Sequence, residues 1–302
     1  MHFLNTVVAR AIPFIPRALV RKISRRYIAG DTLTDAVTCG HRLAALGFSA
    51  TLDVLGESVT TMEEAARTAG AYIRSLDAIH ADGLHADISI KPSALGLLLH
   101  PQGCEQLVRL VLDAAQRHGT FVCIDMEDVS CTQLELELFL RLRASHDNVG
   151  LAVQAYLLRS YSDMDVLMRA QSVLRICKGI YREAQLHLVP GAWNDRQAIN
   201  PHFLQHVARC FDSGMFVAIA THDAVLIEQI VALAAERKIA PTRFEFQMLL
   251  GVCEPLRDKL RNAGFNVRIY VPYGEDWYAY STRRLKENPR IAGHVLRALL
   301  GF

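Results

Sequence analysis

After residue 48 the sequence keeps a beat that few architectures can absorb. A short apolar run rich in β-branched residues is followed by a turn and then by a longer segment with helical periodicity. The expected strands are 50–55, 87–91, 120–125, 149–154, 173–178, 215–220, 243–247 and 266–271. Between them, 61–81, 102–117, 130–145, 163–170, 201–213, 224–237 and 253–263 mostly carry apolar residues at steps of three and four, as helices covering a sheet do. Strict alternation predicts a parallel sheet, and eight repeats predict closure into a barrel; a doubly wound open sheet is the structural alternative. No long Pro/Gly/Ser linker or low-complexity stretch divides the 302 residues. Residues 1–302 are therefore expected to form one α/β domain, a distorted (β/α)8 TIM barrel, with 1–45 as an N-terminal helical segment.

The first thirty residues stand apart. Arg10, Arg17, Arg21, Lys22, Arg25 and Arg26 precede the first acid, Asp31, among Val, Ile, Phe and Leu. Three readings are open: an organelle-targeting presequence, a basic amphipathic segment touching a membrane, or a helix packed on the barrel with its basic face in water. The basic cluster follows the apolar stretch, which is not the order of a signal peptide, and no uncharged apolar run is long enough to span a bilayer. A net charge of +2 creates no global field for nucleic acid. Seven scattered cysteines without a CxxC pair are expected as small buried hydrophobes in a reduced intracellular protein.

Active sites of such barrels form where strands end and βα-loops begin. Polar residues gather at those ends: Asp53 and Glu57, Lys91, Asp125 and Glu127, Gln154, Arg175 and Lys178, and Thr221-His222-Asp223. The last two strands carry Glu245 with Gln247, and Arg268 with Tyr270. Taken singly, Lys91 reads equally well as a solvated cation and His222 as a structural histidine. Together they are hard to assign to core packing, where polar groups are unfavourable unless paired.

After the eighth strand comes Tyr270-Val-Pro-Tyr-Gly-Glu-Asp-Trp-Tyr-Ala-Tyr-Ser-Thr-Arg-Arg-Leu-Lys-Glu-Asn-Pro289. In a helix starting near Asp276, Tyr280, Arg283, Arg284 and Glu287 share one face. A solvated amphipathic helix has the same spacing. Adjacent arginines beside aromatic rings also suit a small amino acid, the guanidinium forks taking its carboxylate.

These segments together resemble the proline dehydrogenase family, in its monofunctional bacterial form and in the matching domain of bifunctional proline-utilisation flavoproteins. The resemblance runs from Arg25-Arg26-Tyr-Ile-Ala-Gly30 through Leu-Asp-Val-Leu-Gly-Glu57 to Pro289. Its blocks are Ser89-Ile-Lys91, Ile124-Asp-Met-Glu127, Val153-Gln-Ala-Tyr156, Arg175-Ile-Cys-Lys-Gly-Ile-Tyr181, Ala220-Thr-His-Asp223, Phe244-Glu-Phe-Gln-Met-Leu249 and the Tyr270–Pro289 stretch.

The resemblance implies FAD bound over the strand C-termini without a Rossmann motif, in keeping with the absence of a convincing GxGxxG after a strand. It implies Arg283 and Arg284 as a clamp for the proline carboxylate, with Lys91 as a third cation and Asp125 as the acid that pairs with Lys91. Tyr270, Tyr280 and Leu249 would line the pyrrolidine ring, and Glu287 would hold the arginines. Gln154, Arg175, Cys177, Lys178, Gly179, Tyr181, Thr221, His222 and Glu287 match flavin contacts, with Arg175 countering negative charge on the reduced ring. The implied reaction is hydride transfer from C5 of L-proline to flavin N5, giving Δ1-pyrroline-5-carboxylate, with a membrane quinone as final acceptor. A cytoplasmic enzyme of proline catabolism, touching the inner face of the membrane through its basic N-terminal segment, is the corresponding cellular expectation.

One departure is visible. The family block reads Lys-Gly-Ala-Tyr where this chain has Lys178-Gly179-Ile180-Tyr181. Ile180 takes space near flavin and substrate, which keeps a specialised biosynthetic dehydrogenase of proline or a proline derivative in view. Two further alternatives belong to other classes. A metal- or phosphate-dependent lyase would use Lys91 or Lys178 as a Schiff base, or Asp125, Glu127 and His222 as ligands. A non-catalytic barrel would sense proline or flavin.

Overall fold

The computed structural model describes residues 17–56, 58–278 and 280–282. The first two helices are α1, Arg17–Ser24, and α2, Leu33–Ala45. The strands are β1 Ser49–Val54, β2 Ala86–Ile90, β3 Val122–Ile124, β4 Val149–Gln154, β5 Leu174–Cys177, β6 Val217–Ala220, β7 Phe244–Leu249 and β8 Val267–Tyr273. The alternating helices are α3 Met62–Ala81, α4 Pro101–Arg117, α5 Val129–Arg143, α6 Ser160–Ala170, α7 Asn200–Asp212, α8 Ala224–Glu236 and α9 Glu254–Asn262. The eight strands pair in sequence order and close into a barrel. Every strand pair is parallel, including β1 with β8. The open-sheet alternative is thereby excluded.

Local chemistry sets the helix starts. Thr32 and Thr61 each accept from the backbone N–H three residues on, while Asp35 and Glu64 reach back to the cap, so both ends close as capping boxes. Expected and observed strand ends differ where long-range pairing intervenes. Pro272 reads as a strand terminator, yet its carbonyl accepts from Ala29 N–H at 2.9 Å and the Tyr273 carbonyl accepts from Leu55 N–H at 2.8 Å, so β8 runs on to Tyr273. β3 is shorter than expected because Thr120 N–H turns back to the Ala115 carbonyl at 2.8 Å.

The strands alternate sharply. Leu52, Ile88, Ile90, Val122, Ile124, Leu151, Leu174, Ile176, Val217, Ile219, Phe246, Ile269 and Val271 are all buried in the core, on the faces that the helices cover. The opposite positions, Thr51, Asp53, Asp87, Ser89, Lys91, Arg175, Glu245 and Gln247, are buried and polar. In most barrels bulky branched side chains fill the interior. Here the interior is an ion-paired column.

α1 packs on the segment that follows β8. Arg17 lies over the Tyr278 ring at 4.9 Å and Arg21 over Trp277 at 5.3 Å, and Arg21 also pairs with Asp31. Arg26 donates to the Gly251 carbonyl at 3.1 Å and to Glu254 at 3.2 Å. Among the described residues, the basic segment therefore spends several of its cations on the barrel. Among them, too, no helix is long and apolar enough to cross a membrane. All seven cysteines are free. Five are buried as expected, Cys177 is half-buried, and Cys253 is exposed on the left-handed turn before α9.

Candidate active site

Where the strands end, a cavity of about 390 Å³ opens, within the usual size of small-molecule sites. Its lining includes Asp53, Lys91, Asp125, Arg175, Tyr270 and Leu249. Strand period two explains the gathering: each of these is an inward residue, with Asp53, Lys91, Asp125 and Leu249 at the strand ends and Arg175 and Tyr270 reaching the cavity from further back.

Lys91 is the pivot. Its Nζ donates to Asp53 Oδ1 at 2.5 Å and lies 3.5 Å from Asp125 Oδ2. Burial alone would push the ammonium to lose its proton, but Asp53, Tyr270 and Asp125 hold its pKa well above the usual lysine value. The two acids differ. Burial pushes Asp53 up, against the attraction of Lys91. Asp125 falls below the ordinary carboxylate range because Lys91, Arg175, Ser89 and Tyr270 together outweigh its burial. Asp125 Oδ1 accepts from Arg175 at 2.6 Å and from Ser89 at 2.6 Å, while Tyr270 donates to Oδ2 at 2.8 Å. The Tyr270 hydroxyl is committed as a donor, and burial with the nearby acids raises its pKa well above the usual tyrosine value.

On the far wall, Lys178 donates to Asp223 at 2.7 Å and to the Arg196 carbonyl at 3.2 Å. Against the upward push of burial, the Lys178 bond and the α8 backbone N–H groups bring Asp223 down to about 2. Leu249 N–H donates to His222 Nε2 at 2.9 Å, which makes that nitrogen an acceptor and ties the end of β7 to the β6 loop. Thr221, Cys177, Ile180, Tyr181 and Tyr280 complete this side.

Gly179 is required by its place. Its φ is +101°, and a Cβ there would lie inside the Tyr156 ring. A Gly179→Ala chain should be destabilised by about 1–3 kcal/mol and should displace the cavity wall. Urea unfolding at neutral pH checks this, and a midpoint equal to the parent's would remove the steric argument.

The family whose description is Proline dehydrogenase matches residues 36–297. The chain belongs to the proline dehydrogenase family. It is 34% identical over 277 residues to proline dehydrogenase 1 of Bacillus subtilis subsp. natto, covering 92% of this chain and 90% of that one. It is 32% identical over 292 residues to the proline dehydrogenase of Deinococcus radiodurans, covering 95% and 93%. Among solved structures, proline utilization A from Bdellovibrio bacteriovorus, inactivated by N-propargylglycine, superposes with a TM-score of 0.82 at 22% identity. That match covers 89% of this chain and 33% of the longer protein, and it bears on the fold. As a member of this family the chain is an oxidoreductase.

The sequence-named residues divide into groups. Lys91, Asp125, Arg175, Cys177, Lys178, Gly179, Ile180, Tyr181, Thr221, His222, Leu249, Tyr270 and Tyr280 line one cavity. Gln154 lies fully buried at the end of β4, its Nε2 donating to the Glu127 carbonyl at 2.7 Å. Glu57, Arg283, Arg284 and Glu287 lie outside the described residues. Glu245 and Arg268 need correction as strand-end residues. They pair at 2.8 Å deep in the barrel, where a second cavity of about 220 Å³ is lined by Asp87, Cys123, Phe216 and both of them. Each sits early in its strand, because β7 and β8 run further on the C-terminal side than their apolar pattern predicts.

Asp53 stands out in the sequence only as a strand end, yet it is the shortest partner of Lys91. Its position two residues after Thr51, on the inward face of β1, is the signal that would have found it. The lyase reading loses support from the same geometry, since Lys91 is held between two acids and Lys178 is tied to Asp223 at 2.7 Å, which leaves neither as a free amine. Asp125, Glu127 and His222 do not form the ligand set it required. The described acids that do cluster, Glu127 and Glu135 with Cys131, are buried together. Glu127 accepts from Ser93 Oγ and N–H, and Glu135 accepts from Glu127 N–H at 3.0 Å, so internal donors already serve them.

Proposed function

We propose that this chain oxidises L-proline to Δ1-pyrroline-5-carboxylate with FAD bound over the strand C-termini and a quinone as final electron acceptor. The reading treats it as one domain, with residues 1–45 as an N-terminal helical segment. It rests on one observation: a family member carries Lys91, held between Asp53 and Asp125, on the floor of a cavity at the strand ends.

The donor set fits a flavin. Asp53 Oδ2, in the cavity lining, is buried without a hydrogen-bond partner, and such an atom asks for a donor. Arg175, paired with Asp125, supplies a fixed positive charge in the same cavity. Lys178, Gly179, Tyr181, Thr221 and His222 supply the wall against which a flat ring system lies. Bound FAD would supply the hydride acceptor for oxidation at C5 of the substrate.

The chain's own residues bind and orient. Lys91 Nζ carries a permanent charge for the substrate carboxylate, and Arg283 and Arg284 are assigned to the same carboxylate. Tyr270, Tyr280, Leu249 and Ile180 offer apolar surface to the ring, with Glu287 assigned to hold the arginines. Such orientation brings reacting atoms to near-attack distance. Lys91 and Tyr270 each donate to a carboxylate and are not assigned as bases, and deprotonation of the substrate amine by solvent before binding would suffice. Arg175 would counter the charge that develops on the flavin during reduction.

The test is a visible spectrum of the purified chain before and after anaerobic addition of L-proline. A flavin band that bleaches is the expected result. No flavin band, even after reconstitution with FAD, would sink the proposal. Because Ile180 sits in the cavity wall, a band bleached by another cyclic amino acid but not by L-proline would favour the specialised dehydrogenase instead.

A further inference from the structure

Arg175 is gripped from two sides. On one side Nη1 donates to Asp125 Oδ1 at 2.6 Å and to Ser89 Oγ at 2.9 Å. On the other, Nε donates to Gln247 Oε1 at 2.6 Å. Gln247 is itself fixed, because its Nε2 donates to Glu245 Oε1 at 2.7 Å. The same Glu245 oxygen accepts from Arg268 Nε at 2.8 Å, and Arg268 Nη1 lies 3.1 Å from Asp87 Oδ2. Thr51 closes the column by donating to Asp87 Oδ1 at 2.5 Å. The column stands on β1, β2, β5, β7 and β8, rigid elements that hold a side chain more tightly than loops do.

We infer that Gln247 is a positioning residue, which aims the Arg175 guanidinium at the flavin through its bond to Nε and is itself locked by Glu245, Arg268 and Asp87 beneath. This rests on the functional reading above. Both ends of the Gln247 amide are engaged, so it cannot rotate without breaking two bonds. A neutral amide is also the suitable anchor. A carboxylate at the same place would hold Nε but set a second negative charge beside Asp125 against the Arg175 guanidinium. Without Gln247, Arg175 keeps its Nη1 bonds to Asp125 and Ser89 but loses the bond at Nε that fixes the rotation of its guanidinium. Its charge then stabilises the reduced ring less, as removing an oriented donor does elsewhere.

The experiment is the flavin midpoint potential of the FAD-loaded full chain, measured by dye equilibration for the parent and for Gln247→Met. The variant's two-electron equilibrium should move about tenfold toward the oxidised form, about 30 mV. Glu245→Gln keeps the oxygen that accepts from Gln247 and Arg268, and should move it less than about threefold, which separates geometry from charge. In an Arg175→Lys background, which lacks Nε, Gln247→Met should add nothing, the signature of an effect carried through that one bond. A folded, flavin-bound Gln247→Met chain with the parent potential overturns the inference. So does an equal shift in the Arg175→Lys background. If Gln247→Met does not fold, Gln247→Asn, too short to reach Nε, is read in the same way. A parent chain that takes up no flavin overturns the functional reading and this inference with it, and no comparison among flavin-bound variants imitates that result.

Discussion

Replacing Lys91 by methionine is expected to lower the unfolding free energy by about 3–5 kcal/mol, the usual consequence of removing one partner from a buried ion pair. The reason lies in what is left behind. Asp53 has a side chain only 1% exposed and Asp125 one of 17%, and Lys91 is the cation between them. With methionine there, the two acids face each other with no cation between them, and Asp53, already pushed up by burial, must take a proton or be hydrated. Adding Asp53→Asn removes that charge, so the double variant should regain a large part of the loss. Urea unfolding of the parent, both single variants and the double variant at pH 7 measures the coupling directly. If Lys91→Met were as stable as the parent, the ion pair would not be holding the floor of the site. In the same variant the apparent KM for proline should rise about 100-fold, the equivalent of losing a charge-assisted bond to the substrate carboxylate.

A second large effect is expected in acid, and it comes from outside the site. His206, on the inner side of α7, is fully buried, and neither ring nitrogen has a hydrogen-bond partner. Its ring packs against Tyr161 at 4.9 Å. Burial foremost, then Arg209 and His202, lowers its pKa from 6.5 to about 4. The folded protein thus resists the proton that the unfolded chain accepts. Above pH 6.5 both states are neutral and the group contributes nothing. As pH falls below 6.5 the unfolded state is favoured progressively, and the loss is complete only below about pH 4. The loss amounts to roughly 2 kcal/mol by pH 5 and about 3 kcal/mol at its limit. Urea unfolding of the parent and of His206→Leu between pH 7 and 5 isolates this share as the difference between their slopes. Parallel slopes would show that His206 gains its proton in the folded state without penalty.

The two effects mark where sequence reading reaches and where it stops. The eight strands are legible because their signal is local: apolar alternation and flanking turns recur in each repeat, whatever the rest of the chain does. Lys91 and Asp125 are legible for the same reason, as polar residues at strand ends, and Arg175 and Tyr270 as polar residues inside apolar strands. Asp53 is only half legible, and Gln247 is visible without a role. Which acid lies closer to Lys91 depends on the register of β1 against β2, where Asp53 sits opposite Ser89. No local pattern carries that.

Glu245 and Arg268 show the converse. Their sequence positions group them with the strand ends, but β7 and β8 run further than their apolar pattern indicates. β8 is extended by its pairing with β1 and by the Pro272 carbonyl, which accepts from Ala29 N–H; β7 follows it, with Leu249 opposite Tyr270. That extension leaves both residues deep in the barrel. His206 gives no sign at all, since a histidine on the apolar face of a helix looks the same whether or not a partner meets it.

The sequence by itself determined the barrel class, the order and approximate limits of its strands, and the set of polar side chains near their ends, because periodicity and turn chemistry act over a few residues. The tertiary structure alone decided how those side chains pair: Lys91 with Asp53, Arg175 with Gln247, Arg268 with Glu245, while the His206 ring nitrogens meet no hydrogen-bond partner. Such pairing depends on closure of β8 onto β1 and on parallel register between strands tens of residues apart. Burial then multiplies the energy of each match or mismatch, so the residues whose pairing was hidden in the sequence are the ones whose substitution should matter most.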